Sequence, residues 1–250
     1  MSNTVQNNSN SPWHTKEIVD YWETAGSPQG RFWIKLRMWR KRLLWRTVIG
    51  SSLLLKRALD MIASGCGLLA LSPLFLLTAA IIKLEDGGSI FFKQNRVGLR
   101  GKLFGMWKFR SMVPNAEKIK AELIEQNEME GGVTFKMKND PRITRIGRVI
   151  RKFSIDELPQ LWNVFIGEMS LVGPRPPVPK EVAEYTLEER QRLLAKPGLT
   201  CFWQIGGRSD IDFKGQVELD LKYIRSENIL LDLKLLLLTV PAVVLGKGAY

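Results

Sequence analysis

Between Met61 and Ile82 the chain carries no charged residue, and Ser72-Pro73 stands in the middle of that run. The run is about long enough to cross a bilayer as a straight helix. A proline at its centre removes a backbone donor and clashes one turn back. The flanks are basic on both sides: Lys56 and Arg57 before, Lys83, Lys93 and Arg96 after. A single span usually shows basic asymmetry between its ends. Symmetric flanks around a central break predict a re-entrant helical hairpin over residues 58–84, entering and leaving on the cytosolic side; a kinked true span is the alternative.

The residues ahead of this run prepare it. Residues 1–30 are rich in Asn, Ser, Thr and Gly and read as a disordered leader. They do not form a signal peptide, because the first long apolar run comes late and no small-residue cleavage site follows it. Over residues 31–57, Phe32, Leu36, Trp39 and Leu43 recur at helical spacing while Arg31, Lys35, Arg42 and Arg46 lie largely off that stripe. Basic residues interleaved with Trp33, Trp39 and Trp45 suit a helix in the headgroup layer of an anionic bilayer. A helix packed on a protein core is the other reading. Residues 229–250 are apolar but carry Asp232, Lys234 and Pro241, which fits an interfacial or core-packed helix and not a second span.

Residues 85–228 remain for a catalytic domain. Ser89–Gly98 and Leu103–Met112 predict two strands around a turn, with Lys108 and Arg110 on one face. Asn115 to about Glu130 reads as a charged helix. Asp140-Pro141 looks like an N-cap with proline at the first helical position, followed by Arg142, Arg145, Arg148 and Arg151 at every third residue. The fold class is α/β of the α+β kind, mostly helical, with a small β-hairpin and membrane-anchoring helices.

Charge and composition limit the chemistry. A net charge of +12 calls for an anionic partner. The only histidine is His14, in the leader, so a Ser-His-Asp triad, a Cys-His pair and a histidine zinc site are excluded. Cys66 and Cys201 read as reduced thiols. Nucleic-acid binding would need aromatic stacking neighbours or a docking motif beside the basic residues, and the basic residues stand beside apolar runs instead.

Three segments concentrate reactive groups. In Arg151–Leu161, Ser154 and Glu157 match a capping box, a reading with no catalytic meaning. Pro159 disfavours it, because it falls past the first turn of such a helix. Asp156 as N-cap places Pro159 within the first turn. An aspartate there is held ionised by the helix dipole and backbone donors, the state a carboxylate nucleophile needs. Glu157 beside it could hold Mg²⁺, a hard cation that prefers oxygen and bridges phosphates. In Gly173-Pro-Arg-Pro-Pro177 rigid prolines present Arg175 as a phosphate clamp, or simply form a surface turn. Pro197–Asp210 is a glycine-rich loop with Gln204 and Arg208, and Asp210-Ile-Asp212 resembles the short aspartate motif of metal-dependent glycosyltransferases.

Taken in order, the pieces resemble the monotopic polyprenyl-phosphate phosphoglycosyl transferases of the bacterial sugar transferase family. The matching stretches are the run broken at Ser72-Pro73, Gln94–Gly98, Lys108–Met112, Asp140–Thr144, Ser154–Leu161, Met169–Pro176, Lys196–Thr200 and Leu231–Lys234. The resemblance implies an enzyme of a bacterial cytoplasmic membrane, with its catalytic domain on the cytosolic face. It implies that Asp156 attacks a nucleotide diphosphate-sugar and becomes phosphoglycosylated, that Glu157 coordinates Mg²⁺, and that undecaprenyl phosphate then takes the sugar phosphate. Arg151, Lys108, Arg110, Arg175, Gln204 and Arg208 would bind phosphate and substrate. Trp203-Gln204, Gly207–Asp210 and the Gly248–Tyr250 ending point to the hexose-1-phosphate branch and a UDP-glucose or UDP-galactose donor. Cys201 and Gly206 depart from that pattern, where glycine and a small polar residue are expected. The long multi-span N-terminal module of many relatives is lacking, and the 31–57 helix would take over part of its anchoring. A homodimer is left open. A metal-dependent glycosyltransferase using Asp210 and Asp212, or a basic membrane-associated nucleic-acid-binding protein, are the competing readings.

Overall fold

The proline break falls where the sequence puts it. In the computed structural model, helix α1 (Pro28–Ala70) stops at Leu71, and helix α2 (Ser72–Asp86) restarts with Pro73 in its first turn, where the missing N–H costs nothing. The Ser72 hydroxyl donates to the Leu69 carbonyl at 2.8 Å, occupying an acceptor freed by the break. Residues 52–70 and 72–86 meet at 58°. No single described helix is long and apolar enough to cross a membrane, and this bent pair passes that test only when taken together. The structure describes residues 22, 25–116, 118–119, 140–206 and 211–245. The helix predicted from Asn115 to Glu130 therefore lies mostly outside the described residues, as do the leader's first residues, Arg208 and Asp210.

The chain divides into two units, Met1–Leu53 and Leu54–Tyr250. In the first, Phe32, Trp33 and Trp39 are exposed along α1. The second unit holds the site. Strands β1 (Phe91–Val97) and β2 (Leu103–Phe109) form an antiparallel hairpin with Phe92 opposite Lys108. Both faces of the hairpin are used. Phe104 and Met106 enter one apolar cluster with Leu161, Val164, Met169, Val172, Tyr223 and Leu235. Phe109 enters another with Ile82 of α2 and Ile150 of helix α3 (Arg145–Lys152). A short turn then leads into helix α4 (Gln160–Ile166) and strand β3 (Ser170–Val172). After helix α5 (Pro179–Glu184), strand β4 (Gly198–Thr200) pairs with β3 in parallel. Helices α6 (Phe202–Gly206), α7 (Phe213–Ser226) and α8 (Ile229–Leu245) complete the unit. The fold is thus mostly helical with the β-hairpin the sequence suggests, and it adds a second small sheet, the parallel β3–β4 pair, that the sequence does not predict.

Three sequence expectations change. The helix after Asp140-Pro141 starts later than predicted: Thr144 is its N-cap, accepting from Gly147 N at 3.0 Å. Asp140 instead binds Arg142, whose Nη2 reaches it at 2.6 Å. The second change concerns Lys56 and Arg57, read as a headgroup flank. Lys56 Nζ turns inward to the Tyr223 hydroxyl (3.0 Å), the Val172 carbonyl (3.2 Å) and Asp232. Arg57 donates to the carbonyls of Val164 and Phe165, each at 2.7 Å. These carbonyls lie in the last turn of α4, where Val164 O also accepts from the Gly167 N–H at 3.0 Å, and a guanidinium fork adds a strong partner to both. Buried Asp60, one turn on, accepts from Leu171 N at 2.9 Å. The third expectation is narrowed and not overturned: of the interfacial and core-packed readings of the helix over residues 229–250, the pairing of Asp232 with Lys56 and Tyr223 supports the core-packed one.

Candidate active site

The turn Ile155–Glu157 is a single 3₁₀ turn between α3 and α4. Ser154 enters it at φ 54°, left-handed backbone that a non-glycine residue adopts at a cost of order 1 kcal/mol. Neither capping arrangement predicted from the sequence forms. Ser154 makes no side-chain cap bond, and α4 begins at Gln160 with Pro159 in the N-cap position, also without a side-chain cap. Asp156 sits inside the turn, 8% exposed. Burial pushes its carboxyl up to about 6, aided by Glu157 and opposed by Lys108 and Arg151. The expectation that Asp156 caps a helix is therefore corrected: the helix starts too late, and burial raises the carboxyl despite the nearby cations, although it still ionises below neutral pH.

Glu157 is shifted the other way. Burial alone would raise it, but Lys108, Arg175 and Arg96 hold it down, to about 2. Lys108 Nζ lies 2.6 Å from Glu157 Oε1. Strand alternation explains that contact: Phe104, Met106 and Lys108 share one face of β2, and the first two enter the core. Lys108 is the polar end of that row. Two adjacent carboxylates with opposite shifts are the pattern expected where one must stay charged and the other must be reactive.

A cleft opens beside Glu157, lined by Lys108, Gln160, Arg175 and Gln204 over Met106, Pro176, Gly198 and Leu199. The proline segment earns its rigidity from its carbonyls. Those of Pro174, Pro176 and Pro177 accept from Gly198 N, Arg96 Nη1 and Val97 N, each at 2.9 Å. Glycine is required where this segment meets β4, since a Cβ on Gly198 would come within 2.0 Å of Gly173 N. Arg175 projects from it with its guanidinium 5.7 Å from the Trp203 ring centre, a cation–π contact that leaves its edge for an anion.

Of the residues singled out from the sequence, Lys108, Glu157, Arg175 and Gln204 line this cleft together. Arg151 acts on Asp156 from the last turn of α3. Arg110 does not line the cleft: β2 ends at Phe109, and Arg110 pairs with Asp86 at the end of α2. Asp212 caps α7, accepting from Gly215 N at 2.9 Å, while its expected partner Asp210 lies outside the described residues. Cys201 is fully buried with its thiol pushed well up by burial and Asp220, so it is inert packing.

Three residues of the site were missed. Arg96, read from the sequence only as a basic flank of the apolar run, is buried instead; brought down to about 10 by burial and by Arg175, it holds Pro176 and adds positive potential at Glu157. Gln160 lines the cleft one turn beyond the carboxylates. Asn163, fully buried, accepts from Trp107 N at 3.0 Å and donates to the Gly105 carbonyl at 2.9 Å, locking α4 onto the strand that carries Lys108. The only sequence signal for Arg96 is its place in Gln94–Gly98.

Among the described residues no group of three acidic, cysteine or histidine side chains could form a metal site. A divalent ion that arrives with phosphates needs less. Mg²⁺ is commonly bound through one or two carboxylates plus substrate phosphates, and Glu157, ionised at the cleft wall, suits that role.

A profile of the bacterial sugar transferase family matches residues 51–246. The chain is 48% identical over 200 residues to the galactosyl transferase CpsE of Streptococcus agalactiae serotype III, covering 80% of this chain and 44% of that protein. It is 43% identical over 198 residues to the exopolysaccharide production protein ExoY of Sinorhizobium fredii, covering 78% and 88%. It is 43% identical over 203 residues to the undecaprenyl-phosphate galactose phosphotransferase of Salmonella typhimurium, covering 80% and 42%. The chain thus spans less than half the length of two of these relatives and most of the third.

Proposed function

We propose, from the premise that this chain belongs to the bacterial sugar transferase family, that it moves a hexose-1-phosphate from a UDP-sugar to undecaprenyl phosphate through a covalent aspartyl intermediate. The observation that carries the reading is buried Asp156 next to Glu157, which Lys108 Nζ holds at 2.6 Å, beside a cleft lined by Lys108 and Arg175. Cations at the cleft wall bind the diphosphate and offset the charge that gathers on it during displacement. An Asp156 carboxylate oxygen attacks the β-phosphorus. The bond from that phosphorus to the bridging oxygen breaks, and UMP leaves with the electron pair. An oxygen of the lipid phosphate then attacks the same phosphorus. The phosphorus–Asp156 bond breaks, which regenerates the carboxylate and forms a lipid diphosphate sugar.

Glu157 would hold Mg²⁺, which supplies charge neutralisation at the phosphates when bound. Lys108 keeps Glu157 ionised for that purpose and, through its charge, favours the carboxylate form of Asp156. Glucose or galactose is the expected sugar, and galactose is the sugar named for two of the relatives above. The bent pair α1–α2 would sit in an anionic cytoplasmic membrane as a re-entrant hairpin, with the site on the cytosolic face. Cysteines placed near Ser51 and Ser89 should label from the same side; opposite labelling would replace the hairpin by a kinked span.

The covalent route is tested without lipid. Enzyme and UDP-galactose or UDP-glucose alone should release UMP up to about one equivalent and leave a hexose phosphate mass on the peptide containing Asp156. Lipid-dependent transfer without burst or adduct would replace the covalent route by direct attack of the lipid phosphate.

A further inference from the structure

A second concavity lies away from the cleft, between α2 and α3. Ile81 and Leu84 of α2 face Ile146 and Val149 of α3, with Glu85 and Arg145 at the rim. The junction is built, not incidental: Glu85 Oε1 accepts from Arg145 N at 2.8 Å and from Ile146 N at 3.3 Å, so the end of α2 caps the start of α3. Beneath it Ile82, Ile150 and Phe109 pack as a core, whereas Leu84 is 85% and Val149 49% exposed. Ile146, Val149 and Phe153 follow one another at i, i+3 and i+7, an apolar stripe that ends three residues before Asp156. Beside the stripe run Arg145, Arg148 and Lys152, all exposed, and then Arg151, which acts on Asp156. None of these four has a carboxylate partner among the described ion pairs.

An apolar trough flanked by a cationic row about 10 Å long matches an amphiphile with one anionic end. We propose that this groove holds the head-proximal isoprene units of the polyprenyl phosphate acceptor, and that the basic flank of α3 hands its phosphate toward Asp156. The inference rests on the transfer reaction proposed above and places its second substrate. The donor phosphates and the acceptor then approach the same aspartate by separate routes: the cleft at Lys108 and Arg175, and the α2–α3 groove. Bulk bilayer contact needs only an exposed apolar face. A groove rimmed by Glu85 and Arg145 and flanked by a basic row selects a single chain with a phosphate at one end.

The test uses the full chain with Leu84→Asn and Val149→Asn combined, both at exposed positions, and Val149→Leu as the apolar control. With undecaprenyl phosphate in detergent micelles, the double variant should raise KM about tenfold or more, the scale of losing small apolar contacts in a pocket. With methyl phosphate, a short acceptor that carries no isoprene unit to place in the groove, its turnover should match wild type. Binding to vesicles of phosphatidylglycerol and phosphatidylethanolamine should be unchanged, and Val149→Leu should keep the wild-type KM. An unchanged KM for the long acceptor, an equal loss with the short one, or a parallel fall in vesicle binding would each overturn the proposal. The lipid-free UMP burst reports on the reaction itself: its absence in wild type counts against the covalent route, while the ratio of long- to short-acceptor turnover still decides the groove.

Discussion

Helices α3 and α4 stand on either side of Asp156 and begin in opposite ways. Helix α3 is capped twice, by the Thr144 hydroxyl from within its own chain segment and by Glu85 from α2. Helix α4 has no side-chain cap at all, although Ser154, Asp156 and Glu157 stand just ahead of it and are of types suited to capping or the capping box. Polar side chains ahead of α3 are spent on stability. Those ahead of α4 are kept off the backbone, one buried in the turn and one held by Lys108 at the cleft. What α4 lacks at its start it receives at its end and flank, from Arg57 and Asn163. Stability has been moved away from the residues that must react.

The largest effect should come from testing that division at Asp156. Asparagine caps as well as aspartate does, so a capping residue would tolerate Asp156→Asn. A nucleophile would not, because the neutral amide cannot form the acyl phosphate. Transfer should fall by about three orders of magnitude or more, with the circular dichroism spectrum unchanged. Near-normal turnover would make Asp156 a structural residue and remove the contrast between the two helices.

The same substitution should stabilise the fold. In the folded chain burial raises Asp156 from 3.8 to about 6, so the ionised form is disfavoured there. The sign follows from the proton balance. Below about pH 4 the carboxyl is neutral folded and unfolded, and the variant gains nothing. As pH rises through about 6 the wild type loses that stability, whereas the amide cannot ionise. Urea midpoints in EDTA should therefore separate between pH 4 and pH 8, with Asp156→Asn the more stable. A constant gap across that range would show that burial does not set the carboxyl. In the wild type the lipid-free burst should also fade as pH drops through about 6.

Arg57 offers the converse case, support supplied from a distance. Arg57→Ala should cost about 2 kcal/mol, the worth of charge-assisted bonds to two carbonyls. Lysine cannot present a fork and should recover only part of it. Thermal unfolding measures this directly, and an Arg57→Ala protein as stable as wild type would mean that α4 ends without help.

These residues also show what the sequence makes legible. Asp156-Glu157, Ser72-Pro73 and Gly173–Pro177 are read easily because their meaning is local: adjacency, a broken run, a rigid turn. Arg175 follows from the Gly173–Pro177 turn, and Lys108 from strand alternation over Leu103–Met112. Arg57, Arg96 and Asn163 do not, because their partners are backbone carbonyls or amides 107, 80 and 56 residues away. A carbonyl carries no residue identity, so nothing in the sequence marks it as awaiting a guanidinium. The helix start was misplaced for a related reason. Capping rules weigh local hydrogen bonds, and they favour Asp156 as a cap, whereas the tertiary structure buries it beside Lys108.

The smallest effect isolates the capped helix. Thr144→Ala removes one of the two caps of α3 and should cost about 1 kcal/mol, read as a modest fall in the urea midpoint. Thr144→Ser keeps the hydroxyl and should restore most of it. Neither change touches Asp156, Glu157 or the cleft, so the amplitude of the lipid-free UMP burst should stay at one equivalent in both. That pairing matters more than the size of either number. Helix α3 carries Arg151 in its last turn, two turns from Thr144, and Glu85 still caps the first turn when the hydroxyl is gone. If the burst collapsed in Thr144→Ala while the midpoint barely moved, the cap of α3 would be setting the position of Arg151 against Asp156. The two helices would then differ in where their polar residues sit, and not in whether those residues serve the reaction.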